Sequence, residues 1–105
     1  MKDETKLVTT GRDPKNNHGV VNPPVYHAST ILHPTLDALE SSRERRASGE
    51  RGVYYGRRGT PTTFSLEDMV CAVEGGDRCM VYPSGLAAIS ASLLSFLKAG
   101  DHILM

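Results

Sequence analysis

An α/β fold is predicted by three features in the second half of this 105-residue chain. Arg78–Tyr82 reads as a short strand, Pro83-Ser84-Gly85 as a tight turn, and Leu86–Lys98 as a helix ended near Gly100. His102–Met105 reads as a second strand, so the order strand, helix, strand opens a βαβ unit. The helix is apolar on more than one side, through Leu86, Ala87, Ile89, Leu93, Leu94, Phe96 and Leu97, and such a helix is normally enclosed by other protein. A chain of this length buries only part of its surface, which is too little to enclose that helix. The final apolar run shows no turn, cap or polar tail. The expectation is an amino-terminal segment of a longer α/β protein.

The preceding elements follow from local pattern. From Met1 to about Leu32 helical periodicity is weak, and Gly19, Pro23, Pro24 with the β-branched Val20, Val21, Val25 and Thr30 favour an extended arm lying on another surface. Thr35 is suited to cap a helix through Ser48, where Leu36 and Leu39 give a narrow apolar face before Ser41–Arg46 turns polar all round. That helix is expected to be exposed and solvated. Gly49 and Gly52 release the chain into Val53-Tyr54-Tyr55-Gly56-Arg57-Arg58-Gly59. A second helix is predicted with Thr62 as N-cap, Leu66, Met69, Val70 and Val73 at helical spacing, and Gly75 or Gly76 as the stop. The chain thus divides into residues 1–61, an arm with one polar helix and a glycine-flanked loop, and residues 62–105, the beginning of an α/β domain.

Composition narrows the function. Twelve Lys and Arg balance twelve Asp and Glu, so no bulk field favours nucleic acid or an anionic membrane. The first twenty residues hold seven charged side chains and no signal-peptide core, and the longest apolar stretch, Leu86–Leu97, falls short of the ~20 residues of a membrane span. Cys71 and Cys79 form neither a disulfide framework nor a zinc motif, which fits reduced thiols in a cytoplasmic protein. His18, His27, His33 and His102 have no metal-ligand spacing, and no lysine is set in surroundings that mark it as a Schiff-base former.

Two segments are able to carry chemistry. In Pro83-Ser84-Gly85-Leu86 a strand passes through glycine into a helix N-terminus, whose free amides and dipole attract anions. The plainer reading is that Ser84 caps the helix and Gly85 permits the turn. In Tyr55-Gly56-Arg57 a phenol and a guanidinium stand two residues apart, on one side of an extended segment, where both reach a single phosphate. Here the plainer reading is a solvated basic loop, with Arg58 pointing the opposite way into a surface or interface ion pair.

Taken in order, these segments resemble the Cys/Met-metabolism family of pyridoxal-phosphate (PLP) enzymes. The resemblance runs from about Leu7 to Met105 and is carried by Gly19-Val20-Val21-Asn22-Pro23-Pro24-Val25-Tyr26-His27-Ala28-Ser29-Thr30, Tyr55-Gly56-Arg57-Arg58-Gly59-Thr60-Pro61-Thr62, Leu66-Glu67, Glu74-Gly75-Gly76, Ser84-Gly85-Leu86-Ala87-Ala88-Ile89 and Gly100-Asp101-His102-Ile103-Leu104. It implies an aspartate-aminotransferase-like (fold-type I) large domain beginning near residue 62, with PLP as cofactor. It further implies that Tyr55 and Arg57 bind the cofactor phosphate of a neighbouring subunit, while Gly85 and Leu86 bind their own subunit's through backbone amides. A homo-oligomer with shared sites, a dimer and further a tetramer, and a small amino-acid substrate are implied with it. Tyr-Gly-Arg-Arg-Gly-Thr is closer to the cystathionine β-lyase branch than to the γ-lyase and γ-synthase branches, which usually carry Asn at the position of Thr60. Leu86, often Met in relatives, is a second departure, and a backbone donor tolerates it.

The implied activity is β-elimination of cystathionine to homocysteine, pyruvate and ammonia, a cytoplasmic step of methionine biosynthesis. The family's cofactor-carrying lysine, pyridinium-pairing Asp, ring-stacking aromatic and substrate-carboxylate Arg have no counterpart up to Met105. No catalytic residue is therefore assigned within the segment, and alone it is expected to be inactive. The competing readings are a γ-lyase or γ-synthase of the same family or, from another class, a non-catalytic oligomerisation or anion-binding module using Arg43, Arg45, Arg46, Arg51, Arg57 and Arg58.

Overall fold

Four α-helices and a 3₁₀ turn supply the regular structure of the chain in a computed structural model that describes all residues from Met1 to Met105. Helix α1 spans Asp3–Thr9, α2 Leu36–Ala47, α3 Pro61–Glu74 and α4 Gly85–Phe96, with the 3₁₀ turn at Gly56–Arg58 between α2 and α3.

Helix α1 lies inside the arm expected to be extended. Its first turn carries Asp3 and Glu4, which suit the positive end of the helix dipole, and Lys6 reaches back to Asp3 at 3.0 Å. Seven residues are too few for a stable isolated helix, so packing must contribute, and α1 with α3 is the one pair of helices in contact. Helix α2 begins and ends where the sequence places it: the Thr35 hydroxyl accepts from the Ala38 N–H at 3.1 Å and Ser48 closes the helix.

Helix α3 starts two residues earlier than expected. Thr60, 5% exposed, takes the N-cap position, and Pro61, which needs no N–H there, stands at the first helical position. The Thr60 N–H donates to Thr63 Oγ1 at 2.9 Å. Thr62 is thereby released for another task, holding the arm. Its hydroxyl accepts from the Tyr26 N–H at 2.8 Å and donates to the Pro24 carbonyl at 2.8 Å. Gly75, with φ +69°, ends α3 in the left-handed conformation common at helix stops. Arg51 ties the loop after α2 to the middle of α3 through a bidentate bond to Asp68, at 2.5 and 3.0 Å, and its guanidinium lies 5.0 Å from the Phe64 ring centroid. The Asp68 carboxylate raises the Arg51 pKa.

The strands expected at 78–82 and 102–105 do not form as strands. Both stretches are non-helical and carry no ladder, and the single bridge in the chain is antiparallel, between Thr30 and Tyr55. A strand is completed by its neighbours' hydrogen bonds, and a parallel pair in particular requires a second strand brought alongside by a crossover. Helix α4 forms but ends at Phe96, two residues short of the expected Lys98, and it packs against no other helix, with Leu86, Leu94 and Phe96 at 75, 76 and 88% exposure. No hydrophobic residue is buried anywhere in the chain, and its three buried residues include Ser42 and Thr60. No helix is long and apolar enough to cross a membrane.

Candidate functional site

The loop after α2 is held by the arm. The Gly56 N–H donates to the Ser29 carbonyl at 2.7 Å, next to the Thr30–Tyr55 bridge. A Cβ on Gly56 would lie 1.7 Å from the Ala28 carbonyl oxygen, so this approach admits no side chain. The chain then turns through Gly56–Arg58, with the Arg58 N–H bonded to the Tyr55 carbonyl at 2.8 Å. The segment is thus a tight turn and not the extended stretch expected.

That turn still brings Tyr55 and Arg57 together. The Arg57 guanidinium lies 5.6 Å from the Tyr55 ring centroid, a cation–π distance that orients the group over the ring and leaves its N–H edge available. Arg57 has no ion pair, since the chain's pairs use Lys6, Arg45 and Arg51. Tyr54, Tyr55, Arg57 and Arg58 line a recess of about 340 Å³ against the Leu39, Ser42, Arg43 and Arg46 side of α2, with His33 at its edge. Arg58 borders this recess beside Arg57 and also a neighbouring recess with Arg51, Glu67 and Arg78, where Arg57 is absent. Sequence reasoning missed the α2 wall, although residues 39, 42, 43 and 46 repeat at helical spacing.

Gly85 and Leu86 stand at the start of α4. The Ser84 hydroxyl accepts from the Ala87 N–H at 3.1 Å and the Ser84 carbonyl from Ala88 at 3.1 Å. The amides of Gly85 and Leu86 precede these and have no acceptor within the helix. No atom lies within 4 Å of a Cβ built on Gly85, so the approach to those amides is open. None of the four main cavities contains both Gly85 or Leu86 and the Tyr55–Arg57 pair.

Both donor sets fit a phosphate group: one offers an unpaired guanidinium beside a phenol, the other two free amides at a helix N-terminus. The matches with known proteins point to the group that carries this phosphate. Residues 4–105 match the family described as Cys/Met metabolism PLP-dependent enzyme. The chain belongs to that family. Its cofactor is pyridoxal phosphate. The chain is 45% identical over 101 residues to cystathionine beta-lyase of Haemophilus influenzae, covering 96% of this chain and 25% of that protein. It is 40% identical over 117 residues to an L-alanine/L-glutamate racemase of Wolbachia pipientis, covering all of this chain and 28% of that protein. Among solved structures, cystathionine gamma-lyase from Lactobacillus plantarum complexed with L-serine superposes with a TM-score of 0.73 at 30% identity, over 97% of this chain and 23% of that one. The chain therefore spans about a quarter of the length of the relatives it matches.

Proposed function

We propose that the protein to which these residues belong is a carbon–sulfur lyase that cleaves cystathionine by β-elimination, giving homocysteine, pyruvate and ammonia. Residues 1–61 serve it as arm and cofactor loop, and residues 62–105 open its PLP-binding α/β domain. The observation that carries the reading is the convergence of Tyr55 with an unpaired Arg57 on a loop fixed by the arm. The similarity to cystathionine beta-lyases supports the choice of substrate.

When bound, PLP supplies an electron sink for the negative charge that develops at the substrate Cα. The residues of this chain bind and orient its phosphate. Arg57 donates charge-assisted bonds and Tyr55 a hydroxyl donor, while the Gly85 and Leu86 amides add two neutral donors with the α4 dipole behind them. By holding the phosphate these residues would orient the cofactor, a contribution of positioning and not of proton transfer. In this reading Tyr55 and Arg57 reach the phosphate of a neighbouring subunit, and the residues that carry the chemistry lie outside residues 1–105, so the segment alone is inactive. Thr60, the residue that separates the branches by sequence, is buried at the N-cap of α3, a position where Asn serves equally well. The test is product analysis of the full-length protein with cystathionine: pyruvate and homocysteine are expected, and release of α-ketobutyrate would assign a γ-lyase instead.

A further inference from the structure

The charged half of α2 reads in sequence as a solvated face, yet one side of it forms a wall of the Tyr55–Arg57 recess. Ser42, at the centre of that side, is buried, so the helix sits close to the loop there. Arg43 and Arg46 flank this contact one turn apart, a spacing at which two guanidinium groups reach one oxyanion. No Asp or Glu lines the recess, although Arg46 and Arg58 also border a neighbouring recess lined by Glu50 and Glu67, leaving Arg43 and Arg57 on the acid-free side alone. Elsewhere in the chain Arg45 pairs with Glu50 and Arg51 with Asp68, whereas Arg43, Arg46, Arg57 and Arg58 have no ion pair. A phosphate monoester brings at most about two negative charges to these four guanidinium groups. The remaining positive charge repels itself unless a second anion enters.

We propose that Arg43 and Arg46 form a second oxyanion position on the α2 wall, apart from the one supplied by Tyr55 and Arg57, and that it takes the carboxylate end of a small acidic molecule bound beside the cofactor phosphate. This rests on the reading of Tyr55 and Arg57 as phosphate ligands. The recess of about 340 Å³ matches a small molecule and not a polymer, and the guanidinium fork matches a carboxylate.

Succinate tests the proposal, because it carries two carboxylates and no amine that would react with the cofactor aldehyde. Calorimetric titration of the full-length, PLP-loaded protein should show saturable succinate binding. Arg43→Gln/Arg46→Gln should weaken it at least tenfold while changing PLP affinity less than twofold, and Arg43→Lys/Arg46→Lys should recover part of the binding by keeping the charge. Both arginines are exposed, and circular dichroism verifies that the variants fold. Absence of saturable binding by the unaltered protein, or equal binding by the double glutamine variant, overturns the proposal. So does a tenfold loss of PLP affinity in that variant, which would place both arginines in the phosphate position, and so does inorganic phosphate binding there more tightly than succinate. An Arg57→Gln protein with unchanged PLP affinity refutes the phosphate reading instead, so the two failures are told apart.

Discussion

Arg57 owes its place to the residue before it. Gly56 lets the loop touch the arm at Ala28 and Ser29, and from there the 3₁₀ turn carries Arg57 over the Tyr55 ring. Gly56→Ala should therefore displace the loop, at an overpacking cost of about 1–3 kcal/mol, and lower PLP affinity in the full-length protein although Gly56 donates nothing to the phosphate. Parallel thermal and PLP titrations check this. The proximity of Tyr55 to Arg57 was legible in the sequence; the 3₁₀ turn was not, because the close approach of Gly56 to Ala28 beside it involves a residue 28 positions earlier. Cys71 shows a different residue-scale effect. Desolvation of the half-buried thiol, followed by the nearby Cys79, raises its pKa. The unfolded chain ionises near the ordinary thiol value of about 8.5 while folded Cys71 still resists, so stability should fall as pH rises through that value. Replacing Cys71 with Ser should flatten that part of a denaturation series measured from pH 7.5 to 10.

The start of α3 shows how elements divide their work. Pro61 signals a first helical position, yet the apolar spacing beginning at Leu66 also accommodates Thr62 as the cap, and only the tertiary partner of Thr62 separates the two. With two bonds to the arm, Thr62 holds residues 24–26 in register with the Thr30–Tyr55 bridge, and so indirectly holds the Tyr55–Arg57 loop. Thr62→Val keeps the shape and removes both bonds, leaving the Tyr26 amide and Pro24 carbonyl without this partner, at a cost of about 1–3 kcal/mol. Trypsin should then cut the arm after Arg12 and Lys15 faster than in the unaltered protein, while Thr62→Ser should keep the original rate. Equal rates in all three would remove Thr62 from the clamp. Helix α1 was illegible for a related reason: its stability rests on α3, which no local pattern in residues 3–9 reveals.

The chain of residues 1–105 is open. Its radius of gyration is 17.0 Å, against roughly 13 Å for a compact domain of this length. Its accessible surface is 8655 Å², against about 5,800 Å² from size scaling for a folded monomer of this mass. Exposed Leu86, Ile89, Leu94 and Phe96 contribute apolar area to the excess. The helices of residues 61–96 were legible because caps and apolar spacing are local; the expected strands were not realised because their completion depends on partners that residues 1–105 do not supply to one another. Residues 1–105 in isolation should accordingly bind a hydrophobic dye and melt without a sharp transition. The central claim is that Tyr55 and Arg57 complete a phosphate site begun by Gly85 and Leu86 of another subunit. It is tested most directly by mixing full-length Arg57→Ala subunits with subunits lacking the cofactor-carrying lysine. Each parent should be weak, and after subunit exchange equal amounts should recover about a quarter of the unaltered activity, one intact site in each mixed dimer. Proven exchange with no recovery would contradict the shared site.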